Sequence, residues 1–132
     1  MAELTMITTQ EGLETILNTG IKGGADFNFK AFNNNVTITE ATVIGDLTES
    51  SVYTDYTMLN ANWVISYTTQ GEALYNVSFQ LDFTGTDTIY GVYITNSAGT
   101  ELIGASNFVA PESVENGQPI IFPSVKITLD NV

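Results

Sequence analysis

Whatever chemistry this chain performs must come from carboxylates, hydroxyls, amides and phenols. Its 132 residues include fifteen Asp and Glu against three lysines (Lys22, Lys30 and Lys126), with no histidine, cysteine or arginine. A Ser-His-Asp triad, a Cys-His pair, a thiolate zinc site and a His-rich metal site are therefore excluded. Two carboxylates suffice for glycoside hydrolysis, and Asp82, Asp87 and Glu101 qualify by type, but each adjoins a turn, where a solvated acid is the ordinary occupant. Ser/Lys catalysis would need Lys22 or Lys30 in a motif that neither has. Asp82, Thr84 and Asp87 offer the oxygen ligands calcium takes, yet without EF-hand spacing, so solvent-exposed turn acids are the plainer reading. The sequence predicts no enzyme, no metal and no cofactor.

The aromatic residues offer binding chemistry instead. Trp63 with Tyr90 or Tyr93, beside Asn and Asp, has the composition of a glycan platform. Tyr53 and Tyr56 lie in a hydroxyl-rich stretch, 47–62, that reads as a long loop and as a place for a partner surface. The competing reading is structural. Trp63 shares a side with Ile65 and Tyr67, which looks like a core face, and tyrosines commonly fold a loop back by burying the ring and wetting the hydroxyl.

The elements that must position these residues are strands. In the segment 75–83, Tyr75, Val77, Phe79, Leu81 and Phe83 alternate with Asn76, Ser78, Gln80 and Asp82, the pattern of a half-buried antiparallel strand. Phe27, Phe29 and Ala31 alternate before a turn at Asn33, Asn34 and Asn35. Trp63, Ile65 and Tyr67 form one face of another strand. The segment 89–95 is apolar on both faces, which places it centrally or at an interface. A hairpin turn at 96–99 leads to a strand over 101–109 that Pro111 ends, a turn at 115–117 follows, and Val125, Ile127 and Leu129 alternate in the closing strand. Thr39 allows a single helical turn toward Leu47, which Gly45 limits.

One short helix is predicted near the N-terminus, over residues 9–18, with Thr8 and Glu11 spaced as a capping box and Leu13, Ile16 and Leu17 on one face. The expected architecture is a single all-β domain: an antiparallel β-sandwich, jelly-roll-like, of seven or eight strands over 26–130, preceded by a helical segment, 1–22. A chain of this size buries roughly two-thirds of its unfolded surface, so disulfides are not required.

The formal charge of −12 argues against nucleic acid and anionic membranes, both of which need a basic footprint. No export signal or apolar membrane span is visible, so synthesis in a cytoplasm is expected. The sequons at Asn35-Val36-Thr37 and Asn76-Val77-Ser78 then carry no glycan.

The segments AFNNNVTITEATVIGDLTE, NANWVISY and TIYGVYITNSAGTELIGASNF resemble those of small structural proteins of tailed bacteriophages, over most of the chain from Leu13 to Asp130. The resemblance implies a trimeric β-sandwich on the virion surface, a capsid cement or decoration protein made in the host cytoplasm, with the major capsid protein or another virion protein as partner. It implies no catalytic residue. The candidate contact residues are Leu13, Ile16, Leu17, Tyr53, Tyr56, Tyr90 and Tyr93. A receptor- or glycan-binding tail or spike module, using aromatics near 47–62, is the alternative.

Overall fold

Period-two patterning becomes β-structure throughout the computed structural model, which describes residues 4–9, 12, 26–66 and 72–128. The strands are β1 (Leu4–Thr8), β2 (Phe27–Phe32), β3 (Tyr56–Met58), β4 (Trp63–Ser66), β5 (Glu72–Tyr75), β6 (Phe79–Asp82), β7 (Asp87–Thr95), β8 (Leu102–Val114), β9 (Pro119–Phe122) and β10 (Val125–Thr128). Eight of them form one sheet in the order β3-β2-β7-β8-β1-β10-β5-β4, and β6 pairs with β9 in a separate ribbon. The all-β reading holds. The two-sheet antiparallel sandwich does not describe this pairing, because one mixed sheet contains most of the strands and β1 runs parallel to β10.

β1 accounts for the difference. Leu4, Thr5 and Met6 pair with β10, whereas Ile7 and Thr8 pair with β8. One short strand thus joins what would otherwise be two sheets. The sequence reading assigned these residues to a helical segment, although Thr5, Ile7 and Thr8 are β-branched and Met6 and Thr8 are buried in alternation with exposed neighbours. Thr8, read as a cap, lies opposite Gly104. The hydroxyl of the next residue, Thr9, accepts the N–H of Gly12 and donates to the Leu102 carbonyl. The rest of the predicted helix, with Leu13, Ile16 and Leu17, lies outside the described residues.

The sheet curls until its two ends meet. Laid flat, eight strands about 4.8 Å apart would separate the outer pair by about 34 Å. Instead the Tyr56 hydroxyl on β3 lies 2.7 Å from the Tyr75 hydroxyl on β5, and the Phe27 ring of β2 meets Trp63 of β4 edge-on at 6.2 Å. The Asn62 amide also donates to Tyr75 Oη at 3.2 Å, and the Asn60 N–H donates to Asp26 at 2.8 Å. A 3₁₀ turn, Asn60–Asn62, carries the chain from β3 to β4, from one end of the sheet to the other.

Inside the curl lies the principal core, in which Phe29, Phe79 and Phe122 pack together at 4.8–5.4 Å and Tyr56 stacks on Phe79 at 4.3 Å. The β6-β9 ribbon supplies Phe79, Leu81 and Phe122 to it. The alternation read across 75–83 survives in burial, from Tyr75 to Phe83, but the chain changes partners within it: β5 pairs with β4 and β10, and β6 with β9. Alternation reports which side of a strand is buried and says nothing of which strand lies beside it.

A second, smaller core occupies the outer face of the same sheet. Phe32, Tyr93, Leu102 and Ala105 are covered there by Ile38, with Val36, Ile44 and Leu47 at its margin. β7 is therefore buried on both faces between β2 and β8, as its doubly apolar sequence indicates. The covering segment is held by carboxamides. Asn34 donates to the Asp46 carbonyl and accepts the Thr48 N–H, and Asn33 donates to Asp87. The helical turn anticipated after Thr39 is a 3₁₀ turn, Ile44–Asp46.

The stretch 47–62 is less of a loop than its composition suggests. Glu49 bridges to Phe32, Tyr53 bridges to Phe83, and β3 then pairs with β2. This segment therefore leaves β2, touches β6 and returns. Where it departs, the Tyr53 hydroxyl accepts the Ala31 N–H at 3.2 Å, supplying an acceptor on the side of β2 where the Ser50 N–H meets the Ala31 carbonyl. The hairpin turns predicted at 96–99 and 115–117 are present, with Gly99 and Gly117 at positive φ.

Candidate functional site

Of the carboxylates considered for chemistry, Asp87 is engaged in holding the fold. Asp87 accepts from Ser50 Oγ at 2.7 Å, Asn33 Nδ2 at 3.0 Å and the Thr88 N–H at 2.8 Å. Burial pushes its pKa up, but the donors outweigh it and hold the carboxyl below its ordinary value. Asp82 accepts from Gln80 Nε2. Among the described residues no three Asp or Glu converge where a metal ion would sit.

Among the tyrosines, Tyr53 donates to Glu49 Oε2 at 2.6 Å, and the same oxygen receives Lys30 Nζ at 3.2 Å. Burial and then the Glu49 hydrogen bond raise the Tyr53 pKa well above that of a free phenol. Tyr56 is raised by burial and by its bond to Tyr75, and Tyr93 by burial and by the nearby Glu49 and Asp55 carboxylates. Tyr93 is buried, and Tyr53 and Tyr56 pack against the principal core with their hydroxyls engaged by Glu49 and Ala31 and by Tyr75. Trp63 is buried as well. Tyr90, by contrast, lines an open groove, together with Asn35 and Pro111.

That groove arises from a bulge. Gly91 to Ile94 oppose residues 107–104 in regular register, and Asp87 to Ile89 oppose 114–112, so four residues of β8, 108–111, face Tyr90 alone. The extra residues project, and Val109 is fully exposed. Pro111 does not end the strand as the sequence reading had it. It lies within β8 at the irregularity, where its missing N–H is tolerated. Gly91 is required beside it, since a Cβ there would sit 2.2 Å from the Ser106 carbonyl oxygen and 2.6 Å from the Phe32 ring.

The bulge also shifts the phase of β7, which is why Ile89, Val92 and Ile94 share the principal core while Tyr90 and Tyr93 face the smaller one. Across the groove, the Asn107 carboxamide donates to the Val36 carbonyl at 2.7 Å and accepts the Ile38 N–H at 2.9 Å, fixing 36–38 as the opposite wall. Its volume is about 440 Å³, and its lining is Asn35, Val36, Thr37, Tyr90, Asn107, Phe108, Val109 and Pro111. Sequence reasoning missed Asn107 and Phe108. Their only signal was a Gly in one apolar strand and a Pro in the next, the two residues that mark bulges.

No helix among the described residues is long and apolar enough to cross a membrane. Comparison with protein-family models, with curated proteins and with solved structures finds no match.

Proposed function

We propose that this chain is a non-enzymatic structural protein that works by burying its surface against copies of itself and against a larger assembly. The observation that carries the reading is the uncharged outer strand of the sheet. From Tyr56 to Gly71 the sequence has no charged residue, in a chain of formal charge −12. That stretch includes β3, β4 and the turn between them, and it exposes Leu59 and Val64 by about half of their surfaces. β4 ends the sheet among the described residues, the position from which a strand can add to a sheet of another chain. Like-charged copies repel least where neither brings charge. The specific form of the assembly, a trimeric cement protein on a bacteriophage capsid that bridges major capsid proteins, rests on the resemblance of the three sequence segments.

Light scattering on the purified protein tests the assembly reading. A mass near three chains of 14.3 kDa is expected, falling to one chain in Val64→Lys with the far-UV circular dichroism unchanged. A monomer at every concentration overturns self-assembly, and a trimer that survives Val64→Lys overturns the choice of β4.

A further inference from the structure

The groove over Tyr90 has a composition that the assembly reading does not use. None of its lining side chains is charged, although the chain as a whole is strongly acidic. Its polar groups divide into two kinds. The Asn107 carboxamide is consumed in fixing 36–38, whereas the side chains of Asn35, Thr37 and Tyr90 have no hydrogen-bond partner among the described residues. Together these three present both donors and acceptors. The rest of the lining is apolar or aromatic: the Tyr90 ring, packed on the smaller core, with Val36, Val109 and Pro111, and Phe108, whose side chain also packs against the principal core. A volume of about 440 Å³ falls within the roughly 300–1,000 Å³ of small-ligand pockets.

We propose that this groove binds a short neutral saccharide. A pyranose ring offers apolar C–H faces to aromatic rings and a rim of hydroxyls to amides and hydroxyls, which is the division of surface found here. Charged sugars fit less well, because no cation lines the groove and the field of the acidic chain opposes an anion. A peptide added to β8 as a further strand fits less well too, since the strand is bulged over 108–111 and Pro111 has no N–H to give. Glycan recognition therefore moves from Tyr53 and Tyr56, whose hydroxyls are committed, to Tyr90, whose hydroxyl is not. This proposal is independent of assembly through β4, and a monomeric protein would leave it standing.

The test is a heteronuclear NMR titration of the full chain with glucose, galactose, mannose, N-acetylglucosamine, maltose and lactose, and with glucuronate and sialic acid as anionic probes. At least one neutral sugar is expected to shift the amides of 35–38, 90–91 and 106–111 in a saturable manner. Tyr90→Phe, at a half-buried position, and Asn35→Ala, at an exposed one, are each expected to weaken it about fivefold, as loss of one hydrogen bond does, with the remaining spectrum unchanged. The proposal is overturned if no neutral sugar produces saturable shifts, if the shifts map elsewhere, if the anionic sugars bind as well as the neutral ones, or if both variants bind like the parent.

Discussion

The hydroxyl contact between Tyr56 and Tyr75 is the sharpest test of the curl, because these residues lie near opposite ends of one sheet and meet only if it closes. Tyr75 is fully buried, and its hydroxyl serves both Tyr56 at 2.7 Å and Asn62 at 3.2 Å. Tyr75→Phe removes the shared oxygen and leaves two polar groups without their partner, at about 1–2 kcal/mol. Tyr56→Phe keeps the ring stacked on Phe79 at 4.3 Å and leaves Tyr75 with Asn62, at about 1 kcal/mol. Because the double variant loses the shared bond only once, it should cost about 1 kcal/mol less than the sum of the singles. The assay is urea denaturation followed by the fluorescence of Trp63, the single tryptophan, whose ring lies 5.2 Å from that of Tyr75. At roughly 4 °C per kcal/mol, thermal melts should resolve the same difference. Costs that add without coupling would mean that the two hydroxyls do not meet in solution and that the sheet is open.

Two further outcomes concern pH. Asp87 has a depressed pKa in the folded protein, so its contribution is present above the unfolded value of about 4 and is lost as the pH falls through the lower folded value. Asp87→Asn should therefore be less stable than the parent at pH 7, with the gap closing in acid. A gap that stays constant from neutral to strongly acid pH would show that the charge on Asp87 does not matter. The raised pKa values of Tyr53, Tyr56 and Tyr93 stabilise the protein below the unfolded phenol value of about 10, and this contribution is lost as the pH rises above it. In an alkaline pH jump, these three of the six tyrosines should ionise only as the Trp63 fluorescence changes. Ionisation of all six before that change would refute their burial.

Much of the architecture was legible because alternation and turn residues are local signals. The sequence of β7 announced its burial on both faces, and Asn96 with Gly99 announced the hairpin. The joining of the sheet was not legible. β1 is five residues long and derives its importance from lying between β8 and β10, a relation between distant parts of the chain. Likewise the segment 75–83 alternates without fault and still divides between two sheets, since the period of two is set by the core and not by the neighbour.

The groove was hidden for a related reason, and that reason bears on how function is read in this chain. A bulge forms where one strand has residues to spare against its partner, so it is a property of the pair. Gly91 and Pro111 each hinted at an irregularity, but only the register of β7 against β8 brings them together and raises 108–111 beside Tyr90. Before pairing, Tyr53, Tyr56, Tyr90 and Tyr93 all stood as candidates to contact a ligand. After it, the network Ala31, Tyr53, Glu49 and Lys30 and the pair Tyr56 and Tyr75 have taken their hydroxyls for the fold. Tyr90 lies opposite the bulge, in the groove, with its hydroxyl uncommitted. In a chain that lacks histidine and cysteine, the groups left uncommitted by folding are the ones on which recognition must rest, and here they gather where two strands fall out of step.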